Sequence, residues 1–278
     1  MAWYFILTIA VSATLLALFA LWLFLIAPRA RKTAMQPFLR PYAHRGLWGG
    51  DVAENSLAAF DRAASKGFAI ELDVQLSADG VVMVFHDYTL DRVCGREGKL
   101  CDLTAAALSQ IPLSGTAQTV PTLREVLDTV AGRVPLLIEL KGESGNAALV
   151  APLLRELADY TGEWCVESFN PLLLRAVKKQ APHVLRGLLS TDLIREKRKG
   201  SKLLNCALSK LLVTFLCRPA FHAFDGRYPH RVALRTGIKL FGAAPLVYTV
   251  RDEKAYHRYL ANGIYPIFEG FLPGEDAQ

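Results

Sequence analysis

From Ala2 to Ala27 the chain carries no charged residue, and beyond Pro41 short apolar runs alternate with longer amphipathic stretches. About 20 apolar residues cross the hydrocarbon core of a bilayer, so the first run predicts one N-terminal transmembrane helix. No basic segment precedes it and no small-x-small cleavage site follows it, which favours a retained anchor over a removable signal peptide. Trp3, Tyr4 and Trp22 suit the interfacial zones near its ends. Downstream, the apolar runs predict strands at 41–44, 68–74, 134–141, 164–169, 184–189, 221–226, 245–250 and 264–269. Between them lie helical stretches. One starts at Asn55, read as its N-cap, and runs through Leu57-Ala58-Ala59-Phe60 to a stop at Gly67. The others cover roughly 122–131, 146–160, 170–180, 201–217, 229–236 and 252–262.

Eight strands alternating with helices imply parallel strands joined by crossover helices. The predicted fold class is α/β, a (β/α)8 TIM barrel, and the residues after Arg40 come close to the roughly 250 typical of one barrel. An open doubly wound sheet is the rival architecture. The chain divides into an anchor (1–28), a basic juxtamembrane linker (29–40) and the barrel (41–278). Asp79-Gly80 is a tight-turn signal between two strand-like runs, which predicts a β-hairpin at the start of a small insertion after the second strand, about 81–120.

Charge sharpens this division. The formal net charge is +6, but Arg29, Arg31, Lys32 and Arg40 follow the apolar run with no acid among them. A second basic stretch holds Arg195, Lys197, Arg198, Lys199, Lys202, Lys210 and Arg218 against the single acid Glu196. The rest of the chain has a slight excess of acids, so there is no general nucleic-acid footprint. The positive-inside rule then places the catalytic domain of a single-pass membrane protein in the cytoplasm. Five cysteines without paired spacing form neither a zinc signature nor a disulfide framework, in keeping with a reducing compartment. Leu203 to Cys217 reads either as an ordinary barrel helix or as an interfacial helix whose basic neighbours meet phospholipid head groups.

The candidate chemistry lies at the strand ends, where a barrel gathers its functional groups. Residues i and i+2 of a strand share a face, so Glu71 and Asp73 aim two carboxylates at one point, and Glu139 and Lys141 aim a third with an ammonium. Three converging carboxylates call for a cation, and a bound divalent metal is the economical reading. His44, Arg45 and His86 complete a kit for metal-assisted cleavage of a phosphate ester, with an anionic substrate. Arg45 offers phosphate oxygens a planar fork and Lys141 a point charge.

The run Ala43-His44-Arg45-Gly46, then Glu54-Asn55-Ser56, Glu71-Leu72-Asp73-Val74-Gln75, Asp79-Gly80 and Val84-Phe85-His86-Asp87, resembles the glycerophosphodiester phosphodiesterase family. Thr122-Leu123-Arg124-Glu125-Val126-Leu127, Ile138-Glu139-Leu140-Lys141, Glu167-Ser168-Phe169-Asn170-Pro171 and Tyr248-Thr249-Val250 extend the match in order from Tyr42 to about Gly263. The resemblance implies hydrolysis of glycerophosphodiesters to an alcohol and glycerol 3-phosphate with one divalent cation, Ca2+ or Mg2+. It implies Glu71, Asp73 and Glu139 as metal ligands, His44 and His86 as the acid–base pair, and attack by the glycerol 2-hydroxyl through a cyclic phosphate.

Five further residues have open roles. Glu54 either touches the metal or phosphate or favours the following helix N-terminus, and Asp87 either orients His86 or starts a loop. Asp225 is a candidate for substrate hydroxyls, and Tyr248, where the family often has tryptophan, packs on glycerol or lines a wall. Glu269 stands where many members carry an aspartate. His183, His230 and His257 are expected in solvent. The expected partners are a small-molecule or lipid phosphodiester and a bilayer, with no nucleic acid and no protein partner legible. Lysophospholipase D-type hydrolysis at the membrane is the alternative activity. A catalytically silent phosphate- or lipid-binding barrel is the alternative class, which the complete histidine and carboxylate set disfavours.

Overall fold

A computed structural model describes residues 1–142 and 147–274. The charge-free run forms helix α1 (Ala2–Ile26), which is long and apolar enough to cross a membrane, as a signal sequence would also be, and nearly all of it stands exposed. The barrel begins with β1 (Tyr42–His44), α2 (Leu57–Ser65) and β2 (Ala69–Leu76). An insertion follows, comprising β3 (Val82–Val84), α3 (Asp91–Cys94) and α4 (Ala105–Leu108). Strand and helix then alternate through α5 (Leu123–Val130), β4 (Leu136–Leu140), α6 (Val150–Glu156), β5 (Trp164–Ser168), α7 (Pro171–Gln180) and β6 (Arg186–Ser190). The chain continues through α8 (Lys202–Ser209), α9 (Thr214–Cys217), β7 (Phe221–Asp225), α10 (Val232–Lys239), β8 (Ala244–Val250), α11 (Glu253–Ala261) and β9 (Tyr265–Phe268).

Parallel pairings run β1-β2-β4-β5-β6-β7-β8-β9 and back to β1, which closes the eight-stranded barrel and excludes the open sheet. All eight expected strands are present. The Asp79-Gly80 turn returns β3 antiparallel onto the end of β2, with Val74 opposite Val84. Alternation along each strand separates two cores. Ile70, Leu72, Leu136, Ile138 and Val166 face the helices, while Tyr42, Ala69, Leu137, Cys165, Phe221 and Ile267 fill the barrel. The insertion has its own small core around Met83, Phe85, Leu90, Leu100 and Leu108.

Three expectations change. The N-cap of α2 is Ser56, whose hydroxyl accepts from the Ala59 N–H; Asn55 has φ +53° and turns its side chain elsewhere. The stretch 201–217 breaks into α8 and α9 because Leu211 adopts φ +56°, which no continuous helix tolerates. Residues 29–40, expected as a juxtamembrane linker, instead plug the base of the barrel. Met35 and Phe38 are buried with Tyr42 and Phe221, Arg31 donates to the Pro182 and His183 carbonyls at 2.9 Å, and the Arg29 N–H reaches the Pro219 carbonyl. Burying two large apolar side chains there outweighs keeping the segment extended. The expected helix start at 146, and residues 275–278 of the expected barrel segment, lie outside the described residues.

One packing detail gives a test of the interior. Gly187 of β6 pairs with Phe221 of β7, and a Cβ on Gly187 would fall 1.9 Å from the Phe221 ring. Gly187→Ala should destabilise the protein by about 1–3 kcal/mol through overpacking, read as a lower Tm. An unchanged Tm would show that the ring has room to move.

Candidate active site

The carboxylates occupy the barrel interior at the C-terminal ends of adjacent strands. Asp73 of β2 stands opposite Glu139 of β4, and Glu71 opposite His44 of β1. One ligand oxygen from each of Glu71, Asp73 and Glu139 lies within 4.8 Å of the others, and all three residues are buried. Lys141 lies between two of them, its Nζ 2.9 Å from Asp73 Oδ1 and 2.8 Å from Glu139 Oε1. Asn55 Nδ2 donates to Asp73 Oδ2 at 2.9 Å, so the residue expected as a helix cap holds a carboxylate.

The turn after β1 depends on its backbone. Arg45 has φ +58° and Gly46 φ +80°, and a Cβ on Gly46 would lie 2.8 Å from Ala59. In this geometry the Arg45 N–H donates to Glu71 Oε2 at 2.9 Å, while its guanidinium bonds Glu54 and lies 3.4 Å from Asp73. Glu54 pairs with arginines on both sides. It joins Arg45 to Arg92, which donates to it at 2.6 and 3.0 Å.

Each histidine is held at one ring nitrogen by a carboxylate. His44 Nδ1 bonds Glu269 directly, and Arg251 donates to the other oxygen of Glu269 at 2.7 Å. His44 Nε2 stands 3.9 Å from Glu71. His86 Nδ1 bonds Asp87, whose second oxygen accepts from Arg92 Nε at 2.6 Å. Glu269 and Asp87 therefore hold both imidazoles in place, and Nε2 of each is left for chemistry.

Electrostatics separate the roles of these groups. Burial, with the repulsion of Asp73, Glu139 and Glu167, pushes the Glu71 carboxyl well up. Burial also raises Glu139 to about 7, against the pull of Lys141. Asp73 feels the same burial, but Lys141, His86 and Arg45 hold it well below the usual carboxylate range. Burial lowers His44 despite its Glu269 bond, and lowers His86 likewise, which favours the neutral form of each imidazole. Glu269, although partly desolvated, is drawn down to about 2 by the His44 hydrogen bond and the nearby charges. The cluster thus has more carboxyl groups than charge partners. Three oxygen donors with surplus negative charge match a hard divalent cation such as Ca2+ or Mg2+, which would replace the protons.

The remaining candidates line the mouth. The Tyr248 hydroxyl is buried without a hydrogen-bond partner among the described residues, and its ring meets Phe169 edge-on at 5.8 Å. Asp225 does not stand free for a substrate: Arg227 and Thr191 hold it, and Glu196 also bonds Arg227. His183, His230 and His257 are exposed as expected. Sequence reasoning passed over Glu167, which sits opposite Glu139 on β5 with one oxygen unpartnered among the described residues and its carboxyl pushed up by burial and Glu139. Its inward strand position was the available signal. Arg92 carried none, because its partners come from two other segments.

A model of the glycerophosphoryl diester phosphodiesterase family matches residues 44–271. A glycerophosphodiester phosphodiesterase of Caldanaerobacter subterraneus subsp. tengcongensis is 36% identical over 159 residues, covering 53% of this chain and 65% of that protein. Glycerophosphodiester phosphodiesterase 1 of Bos taurus is 31% identical over 184 residues, covering 60% of this chain and 55% of that protein. The match thus spans less than two thirds of the length of either relative. Among solved structures, an Oleispira antarctica phosphodiesterase in complex with the product sn-glycerol-3-phosphate superposes with TM-score 0.68 at 25% identity, covering 83% of this chain and 92% of that one. A glycerophosphodiester phosphodiesterase from Agrobacterium tumefaciens gives TM-score 0.62 at 27% identity, with 83% and 95% covered.

Proposed function

The chain belongs to the glycerophosphoryl diester phosphodiesterase family, and from that membership we propose that it hydrolyses glycerophosphodiesters to an alcohol and glycerol 3-phosphate. The observation that carries this reading is the convergence of the Glu71, Asp73 and Glu139 oxygens within 4.8 Å, beside two carboxylate-held histidines. The relatives' names and the product bound in the Oleispira antarctica structure support it.

Glu71, Asp73 and Glu139 would hold one Ca2+ or Mg2+, which when bound supplies positive charge against the phosphate oxygens. Lys141 keeps Asp73 ionised and opposes the upward push of burial on Glu139, and Arg45 anchors Glu71 through its backbone. One neutral imidazole, His44 or His86, takes the proton of the glycerol 2-hydroxyl as its oxygen bonds to phosphorus. The bond from phosphorus to the alcohol oxygen breaks, and the other imidazole, protonated, gives that oxygen its proton. Water then opens the cyclic phosphate with the two roles exchanged, which returns both histidines to their starting states.

α1 favours a second substrate class, the lysophospholipids. We read α1 as a retained span because its last turn belongs to the fold: Ile26 is fully buried in the main core and Trp22 packs against it. Four basic residues just after the span orient the barrel to the cytoplasm. A water-soluble diester needs no anchor, whereas a lipid diester is delivered by one.

The full chain in detergent should release glycerol 3-phosphate from glycerophosphocholine, or lysophosphatidate from a lysophospholipid, with Ca2+ or Mg2+ and not with EDTA. No product from either substrate with either metal would sink the proposal. Metal affinity should also climb between roughly pH 6 and 8, because the proton on Glu139, held at about 7, must leave before the cation binds. Calorimetric titration in buffers of unequal ionisation enthalpy checks this. A binding heat independent of buffer would mean that no proton is released.

A further inference from the structure

Beyond α1, the large apolar side chains that stand exposed are not scattered. Leu240 lies at the base, while the others follow strand ends at the mouth. They include Phe169 and Leu172 after β5, Ile194 after β6, and Leu203 and Leu204 at the start of α8, with Leu203 82% exposed. Single exposed leucines need no explanation, but a group on one rim does. The same loop carries Arg195, Lys197, Arg198, Lys199 and Lys202, all exposed. Its two acids are already held, Glu196 by Arg227 and Thr191 and Asp192 by Arg195, which leaves the loop with a net positive charge.

From this rim the chain runs through α8 and α9 down one side of the barrel to the end of α1 at the base. The end of α1 packs on α9, the helix next after α8: the Phe24 ring lies 6.0 Å from Phe215. Arg218 stacks over Phe24 at 4.5 Å and donates to the Phe24 and Ala27 carbonyls at 2.9 and 2.7 Å. The anchor and the apolar, basic rim therefore share one flank of the barrel.

We infer that this flank lies against the anionic phospholipid surface of the membrane that α1 spans, so that lipid diesters enter the mouth sideways over α8. The inference rests on the proposed activity and on α1 as a span, and it names the substrate class as bilayer lipid. Leucines beside basic side chains are the composition of an interfacial segment, the apolar groups inserting and the cations meeting lipid phosphates. A second copy is the poorer occupant, since two-fold pairing of this patch would set its cations against each other.

The test uses the full chain in nanodiscs of phosphatidylcholine alone or mixed with phosphatidylglycerol. Amide exchange over 193–205 should slow in the anionic discs and recover at high salt. The double variant Leu203→Asp/Leu204→Asp should hydrolyse a disc-borne lysophospholipid about tenfold more slowly and glycerophosphocholine in solution at the unaltered rate. Equal exchange in both disc types, or equal lipid hydrolysis by the variant, overturns the inference. A concentration-dependent dimer in detergent that the variant abolishes assigns the patch to a second copy and also overturns it. If the unaltered chain hydrolyses neither substrate, the activity reading fails, and the exchange measurement still decides the docking.

Discussion

His44→Ala should lower kcat by about 10²–10⁴-fold, the usual contribution of a positioned acid–base group. Folding should survive, because the side chain lies at the mouth and its Glu269 partner keeps Arg251. The companion variant Glu269→Gln separates positioning from chemistry. It removes the charge that raises His44 against burial and leaves only a neutral hydrogen-bond acceptor, so the His44 pKa should fall further. If His44 acts as the base, the acid limb of the kcat/KM profile then moves to lower pH while the rate on the plateau drops. Retention of half or more of the activity by folded His44→Ala would remove this residue from the mechanism.

Asp73→Asn should cost at least as much, by a different route. Asp73 is completely buried and serves Lys141, Arg45 and Asn55 together. The amide keeps the shape but removes the charge, leaving Lys141 and Arg45 with less compensation. Loss of one partner from a buried ion pair costs about 3–5 kcal/mol, so Tm should fall measurably. Metal affinity should fall with it, because an amide oxygen is a weaker donor than a carboxylate. Turnover should drop by about 10³-fold or more even at a temperature where circular dichroism shows native structure. Unchanged calorimetric affinity for Ca2+ and Mg2+ in the variant would rule out the carboxylate triad as the metal site. The sign with pH is separate: Asp73 sits below its ordinary value, so its stabilising contribution is present at neutral pH and lost on acidification through its folded pKa.

The barrel was legible because its signals are local. Eight apolar runs of strand length, spaced by amphipathic stretches, admit few arrangements, and all eight formed within a few residues of their expected bounds. Where the reading slipped, a backbone angle or a distant contact decided. Leu211 entered the left-handed region and split one expected helix into two. Met35 and Phe38 looked like linker residues until a barrel base existed for them to fill. Asn55 and Ser56 are both good caps by type, and only the demand of buried Asp73 for a donor assigned them different work.

The sequence by itself determined the long apolar N-terminal helix, the strand-and-helix order, and the identity of the groups that converge at the mouth. A two-residue period fixes which side chains share a face whatever the tertiary context. The folded barrel alone decided which partner each group finds. Glu269 reaches His44 across 225 positions of sequence, and Arg92 of the insertion ties Asp87 to Glu54. It also placed the basic rim and the end of α1 on one flank of the barrel. Such pairings depend on closure of the ring between β1 and β9 and on burial, which set distances and pKa values that no local pattern encodes.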